Sequence, residues 1–416
     1  MPVTVISGAK VFDGECVVNV PHVILDRGVI AGLGGPVPAD ADVIDGSGCT
    51  LMPGLIDAHV HTSAASLALA LRFGVTTEME MQGIHTRANR TQIGSDDAVA
   101  DVRSSGFAIT PPGGHPSELF PKDPRPGGEP AGRGRGGQGG PPPYMPFSTT
   151  PQEAVAHIPK LIESGSDYIK FMVDDGTVEG SPVPMLDQAT LDAGVAEAKR
   201  HGMLTVAHAL TIEATRMCAR AGIDGLVHIF MDQPHTEEII TTVAEADMFI
   251  VPCVVLNASM MGTTGAELAD DPRVADRLSE EWESTLRSSF NHYPQGRIED
   301  VLTTVAALDQ AGVKILVGTD SSAPLPFLGG VAHGASVHHE MQYLVRAGLT
   351  PLEALSAATA ATADCFGLGD RGRIAPGKRA DLLLVAGDPT NDISDTLNTR
   401  AVWRRGSRLT KSTPAP

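Results

Sequence analysis

Between Thr50 and about Arg346, short apolar runs alternate with helical segments, which confines the chain to a parallel sheet joined by crossover helices. Eight runs qualify as strands: LMPGLIDAHVH, GVTTEMEM, GFAITP, DYIKFMV, GMLTVAH, GLVHIF, MFIVPCVV and VKILVGTD. Eight parallel strands predict an α/β fold built on a (β/α)8 TIM-like barrel, with its site at the C-terminal ends of the strands. The competing arrangement is an open doubly wound sheet, but no G-x-G-x-x-G motif follows an early strand. At 416 residues the chain has room for a barrel of roughly 250 residues and a smaller domain besides.

The smaller domain is read from both ends of the chain. Val3 to Ile44 carries β-like runs (VTVISGAKVF, VVNVPHVILDRGVIAGLG) separated by Gly and Asp-Gly turns, and ADLLLVAGD and RAVWRRGSRL repeat that character near the C-terminus. A small β-sandwich formed from both termini follows, with residues 1–50 and 366–416 flanking a barrel at 51–365. His22 falls in the first part and reads as structural. Two insertions interrupt the barrel. Residues 111–146 form a Pro/Gly/Arg-rich stretch leaving the third strand, which reads either as a lid bearing Arg125, Arg133 and Arg135 or as a surface loop without a role. Residues 257–297 look helical in DDPRVADRLSEEWESTLRSSF and are expected to cover the barrel mouth.

Charge and composition narrow the partners. A formal charge of -19 repels phosphate backbones and anionic membranes, and an aromatic content of 4% leaves few stacking platforms, so nucleic acid is excluded as a partner. A small neutral or cationic molecule is the expected substrate. No stretch approaches the ~20 apolar residues of a membrane span. The first residues lack the basic and apolar regions of a leader, and the five cysteines show no C-x-x-C spacing, so a reduced, cytoplasmic setting is expected.

The chemistry starts at the first strand. His59 and His61, two apart, leave one face of an apolar β-run a few ångströms from each other, which makes a chelating pair. Lys170 sits between Ile169 and Phe171 in the fourth strand. An ammonium buried there needs an acidic partner or altered chemistry, and carbamylation by CO2 would convert it to a carboxylate able to bridge metals. The fifth strand ends at His208, the sixth at His228 and the eighth at Asp320. Four imidazoles and two oxygen donors suit two divalent ions, zinc first, with manganese, cobalt or iron as alternatives. A metal pair acidifies water and polarises a carbonyl, while Asp320 can take the water's proton and pass it to the leaving group.

With these motifs assembled, the chain resembles the amidohydrolase superfamily, and within it the imidazolonepropionase-like and Xaa-Pro dipeptidase-like branch. The matching residues are PGLIDAHVH, GVTT (Gly74 to Thr77), DYIK (Asp167 to Lys170), AHA (Ala207 to Ala209), VGTD (Val317 to Asp320) and the tail AATAATADCFGLGDRGRIAPGKRADLLLVAGDP. The resemblance implies His59 and His61 on one metal, His208 and His228 on the other, carboxylated Lys170 between them, and Asp320 as a metal ligand and acid/base. It also implies a role for His115 in binding the substrate carbonyl or leaving group, and a homo-oligomer. Deaminases of the superfamily place a Glu three residues after the fifth-strand His; here that position is Thr211, which favours a binuclear hydrolase. Two departures stand out. Glu78-Met79-Glu80 replaces the usual x-R-D after GVTT, and Pro116 replaces the glycine that usually follows the histidine of Gly113-Gly114-His115.

Other residues take plainer readings. His157 and His201 read as surface or packing residues, and His235 lies near a helix start. His333, His338, His339 and Glu340 read as supporting or structural groups, and NASMMG (Asn257 to Gly262) either lines an apolar pocket or packs. The expected activity is cleavage of an amide-type C–N bond in an amide, carbamate, urea or peptide. The alternatives are an Xaa-Pro dipeptidase or carboxypeptidase, a lactonase or a phosphotriesterase; a deaminase and a non-catalytic scaffold rank below these. Arg87, Arg90 and the insert arginines are the candidates to grip a substrate carboxylate. Without one of them at the site, an uncharged substrate is preferred.

Overall fold

In a computed structural model, residues 3–83, 85–119 and 145–409 are described. Arg125, Arg133 and Arg135, the insert arginines, therefore lie outside the described residues. The barrel begins at Leu55–Val60, which pairs in parallel with Val75–Glu80, itself parallel to Asp101–Ser104. A second parallel set runs Ile169–Met172, Thr205–His208, Gly225–Val227 and Phe249–Val251. Single bridges close the ring: Ile109 to Phe171, Ile250 to Ile315, and Val60 to Ser321.

Two strands differ from the reading of the sequence. The third is Asp101–Ser104 rather than GFAITP, and only Ile109 and Thr110 of that run make bridges, Ile109 to the fourth strand. The polarity of DVRS hid it. The eighth run joins its neighbours through bridges and isolated bonds, such as the Leu316 N–H donating to Ile250 O at 2.8 Å and the Ala58 N–H to Val317 O at 2.9 Å.

Helices start and stop where local chemistry dictates. Ile212–Ala221, after the fifth strand, is capped by Thr211, whose side chain accepts the Ala214 N–H, and it ends at Gly222 with φ +76. Thr211 is thus committed to a helix end. The insertion after the seventh strand folds into Val254–Met260, Ala266–Asp270, Pro272–Ala275 and Glu280–Leu286. Its Trp282 ring meets His333 edge-on at 5.4 Å, which joins it to the loop beyond the eighth strand. Asn257, Ser259 and Met260 are buried in the first of these helices, so NASMMG packs rather than opening a pocket. Among the described residues, no helix is long and apolar enough to cross a membrane.

The termini form the sandwich. One sheet orders Val29–Leu33, His22–Asp26, Thr4–Ser7 and Asp42–Asp45; the other orders Ser407–Arg408, Thr399–Arg404, Leu382–Ala386, Cys49–Pro53, Lys10–Phe12 and Val17–Val18. Ile6, Val23, Ile30, Leu51, Leu382 and Trp403 pack between them. His22 is structural, its Nε2 lying 3.0 Å from Gly35 O. Cys49–Pro53 continues through Gly54 into the first barrel strand, and a Cβ at Gly54 would fall 2.3 Å from Thr76 Cγ2, so only glycine fits that junction.

A buried ion-pair network ties the sandwich to the N-terminal end of the third strand. Asp101 meets Arg371 at 2.6 Å and Arg379 at 3.0 Å, while Asp381 meets Arg379 at 2.9 Å and Arg404 at 3.3 Å. Burial pushes the Asp101 carboxyl up, but Arg371, Arg103 and Arg379 outweigh it and hold the group at about 2. Removing one partner from such a cluster strands buried charge. Asp101→Asn should therefore lower the free energy of unfolding at pH 7 by about 3 kcal/mol, read by urea denaturation. Because the folded pKa is depressed, Asp101's contribution is complete above about pH 4 and fades as pH falls through 2, so the wild-type and variant curves should converge there.

Candidate metal centre

Seven side chains named from the sequence converge at the C-terminal mouth of the barrel. His59 lies in the first strand, with His61 just beyond it; Lys170 lies in the fourth, His208 ends the fifth and His228 follows the sixth. Asp320 lies on the eighth segment, where its N–H donates to His59 O at 2.8 Å. Asp320 Oδ1 is 3.0 Å from His61 Nε2 and 3.2 Å from His59 Nε2, and Oδ2 is 3.7 Å from His228 Nε2. Lys170 Nζ is 3.3 Å from His59 Nε2. The His228 ring is centred 4.7 Å from both His59 and His208, and His115 stacks on His208 at 4.1 Å.

The backbone is strained by this convergence. Asp320 has φ +55, His228 φ +123 and Cys253 φ +52, all in the region that side chains avoid. Each costs about 1–3 kcal/mol and persists because the surrounding strands impose it. Close packing adds a constraint at Gly318, where a Cβ would fall 2.3 Å from Val251 Cγ1 and 3.1 Å from His59 Cβ.

Tautomers follow from the hydrogen bonds. His61 Nδ1 donates to Gln82 O at 3.1 Å, which leaves the Nε2 lone pair toward Asp320. His208 Nε2 is taken by Asp174 Oδ2 at 2.8 Å, which leaves Nδ1 for a metal. Burial holds His59 and His228 well below the usual histidine range, so both are neutral, ligand-ready imidazoles. Burial alone would raise Asp320, but His59, His61 and His228 hold it well below the carboxylate range. A carboxylate oxygen shared between two histidine nitrogens at these distances is an arrangement that a cation between them would use. His228 Nδ1 and Asp320 Oδ1 are also buried without a hydrogen-bond partner among the described residues. Two donor sets lie within 4.8 Å, His59/His61/Asp320 and His59/His228/Cys253. The donor chemistry fits divalent metal.

Lys170 is 1% exposed, and burial brings its ammonium down to about 8, which enlarges the share of neutral amine able to attack CO2. His115 Nδ1 is bound by Glu118 at close range, so Nε2 is the atom that His115 can offer to a substrate.

The amidohydrolase family profile matches residues 50–408. The chain belongs to the amidohydrolase family. This amidohydrolase is 38% identical over 77 residues to adenine deaminase of Lysinibacillus sphaericus, 18% of this chain and 12% of that protein. It is 40% identical over 106 residues to imidazolonepropionase of Deinococcus deserti, 24% of this chain and 25% of that protein. Each of these matches spans a quarter or less of the relative. Ochratoxinase of Aspergillus niger is 25% identical over 441 residues, 95% of this chain and 83% of that protein. Among solved structures, a Xaa-Pro dipeptidase with bound methionine superposes with a TM-score of 0.72 at 24% identity, covering 98% of this chain and 99% of its own. Phenylurea hydrolase B does so at 0.72 and 21%, covering 98% and 96%. The shared fold is a TIM barrel with a β-sandwich from the termini.

Several supporting groups escaped the sequence. Asp174, four residues past Lys170, could have been found as an acid closing the fourth strand. Glu118 lies in the Pro/Gly-rich insertion, whose composition masked it. Cys253 follows a seventh strand that reads as uniformly apolar. Asp57 accepts the Thr319 hydroxyl at 2.6 Å and so pins the first strand to the eighth. Glu78, fully buried, meets His333 Nδ1 at 2.7 Å, so this acid after GVTT anchors the loop beyond the eighth strand. His338 is structural, its Nε2 reaching Phe73 O at 2.9 Å.

Since Asp174 sets which nitrogen of His208 is free, Asp174→Ala should weaken binding of one ion by about 10–100-fold. Competition with a chromogenic chelator measures this, and the other ion's affinity should stay near the wild-type value.

Proposed function

We propose that this amidohydrolase is a binuclear metal-dependent hydrolase that cleaves an amide-type C–N bond of a small molecule. The observation that carries the reading is the Asp320 carboxylate set among three imidazoles, with Lys170 Nζ 3.3 Å from His59. His59, His61 and Asp320 would hold one ion and His208 and His228 the other, with carboxylated Lys170 between them. Zinc is the proposed metal, a homo-oligomer the proposed assembly and the cytoplasm the proposed setting. Two ions so held would acidify water and polarise the scissile carbonyl.

The chain's own residues supply the rest. Neutral Lys170 would attack CO2, the N–C bond forming as one C=O π bond opens to an oxygen anion and the nitrogen's extra proton passes to water, which leaves an anionic carbamate. Asp320, kept anionic by its histidines, accepts the proton of the attacking water and returns it to the departing nitrogen. His115 offers Nε2 to the carbonyl or the leaving group while Glu118 fixes the ring.

Recognition favours an uncharged substrate. Among the described residues, no arginine hydrogen-bonds or ion-pairs with any of the seven site residues. Arg90 is occupied by Asp167 at 3.2 Å and by the carbonyls of His85 and Gly165, and Arg87 is exposed. An aryl amide, carbamate or phenylurea therefore fits better than an amino-acid conjugate. Thr211, committed as a helix cap, supplies no acid where a deaminase would need one.

A panel of aryl amides, carbamates, phenylureas, acyl-amino acids, Xaa-Pro dipeptides, lactones and phosphotriesters tests the reading. Uncharged C–N substrates should turn over fastest, and Asp320→Asn should lower kcat by about 10²–10⁴-fold. Fastest turnover of the dipeptides would replace the substrate class. Release of ammonia from an amino-purine added to the panel would replace amide-type cleavage with deamination, and no turnover of any member would overturn the hydrolase itself.

A further inference from the structure

A buried histidine that binds a metal through one ring nitrogen keeps a proton on the other, and that N–H needs an acceptor. At the first strand the requirement is acute. His59 is fully buried, and its Nε2 faces Asp320 Oδ1 at 3.2 Å and Lys170 Nζ at 3.3 Å, so an ion held among them would take Nε2 and leave the proton on Nδ1. His61 and His208 place their outer nitrogens on oxygen, the Gln82 carbonyl and the Asp174 carboxylate. Against His59 Nδ1 lies the sulfur of Cys253, at 3.5 Å.

We infer that Cys253 is a positioning residue whose sulfur accepts the His59 Nδ1–H and so turns Nε2 toward the metal. The inference rests on the metal-hydrolase reading above.

The surroundings are arranged to keep the sulfur in place. Cys253 is fully buried with φ +52, immediately before the helix Val254–Met260. Glu340, fully buried on the helix Ala335–Ala347, accepts the Val254 N–H at 2.9 Å and the Val255 N–H at 2.8 Å, one with each oxygen. The Cys253 carbonyl in turn accepts the N–H groups of Leu256 and Asn257, both at 3.0 Å. Gly318, lacking a side chain, leaves room for His59 and Val251 to pack against it. Sulfur is a weak acceptor, so the contact orients the ring more than it stabilises the fold. Cys253 Sγ also shares a 4.8 Å cluster with ring nitrogens of His59 and His228, which makes direct ligation by a thiolate the rival arrangement.

Zinc affinity by chelator competition, on wild type, Cys253→Ser and Cys253→Ala, separates these roles when paired with visible spectra of the cobalt-loaded proteins. An acceptor role predicts no sulfur-to-cobalt charge-transfer band in wild type, near-normal zinc affinity in the serine variant, and binding of one ion weakened by about 10–100-fold in the alanine variant. A charge-transfer band that vanishes in Cys253→Ala would make the sulfur a ligand, and unchanged affinity in Cys253→Ala would remove its role. Nitrogen-15 NMR of the histidine-labelled wild-type zinc protein, assigned with His59→Asn, requires no folded Cys253 variant. A protonated His59 Nδ1 agrees with the inference, and a protonated Nε2 overturns it. Wild-type protein that binds no metal would defeat the hydrolase reading and this inference together, whereas tight metal binding with the wrong tautomer defeats the inference alone.

Discussion

The Asp320 carboxylate, partly buried and set against His59, His61 and His228, is the interaction on which the mouth of this barrel depends. Anionic charge cannot stay away from water without compensation. The strand ends are bent into unfavourable backbone at Asp320, His228 and Cys253 to make the approach. Cation binding would supply such compensation and so links occupancy of the centre to its stability. Around this centre, Gln82, Asp174, Asp57 and Glu78 each hold a ligand or a neighbouring loop in one orientation.

The opposite end of the barrel solves a different problem. There the third strand opens with a buried aspartate, and arginines from the C-terminal segment surround it. Charge at the N-terminal face is structural, joining sandwich to barrel, whereas charge at the C-terminal face is arranged for chemistry. This division matches the general behaviour of barrels, in which the bottom carries stability and the strand C-termini carry function.

Local patterns were legible in the sequence where a residue's role follows from its own neighbours. The spacing of His59 and His61 on an apolar run, Lys170 between Ile169 and Phe171, and the polar ends of the fifth, sixth and eighth runs all placed side chains that the structure brings together. What escaped were groups whose meaning depends on distant parts of the chain. DVRS did not read as a strand because the partner that neutralises Asp101, Arg371, lies 270 residues away. Cys253 looked apolar because only the approach of His59, 194 positions earlier, gives its sulfur a partner. Glu78 falls on the open position of the family pattern, and only the packing of His333 against it gives the acid a role.

The central claim is that two ions sit among these residues with a carboxylated lysine between them. Anomalous X-ray scattering at the zinc edge, from crystals grown with zinc and bicarbonate, tests it most directly. The account predicts two anomalous peaks, one beside His59, His61 and Asp320 and one beside His208 and His228, with density for three further atoms on Lys170 Nζ. A single peak beside an unmodified Lys170 would contradict it.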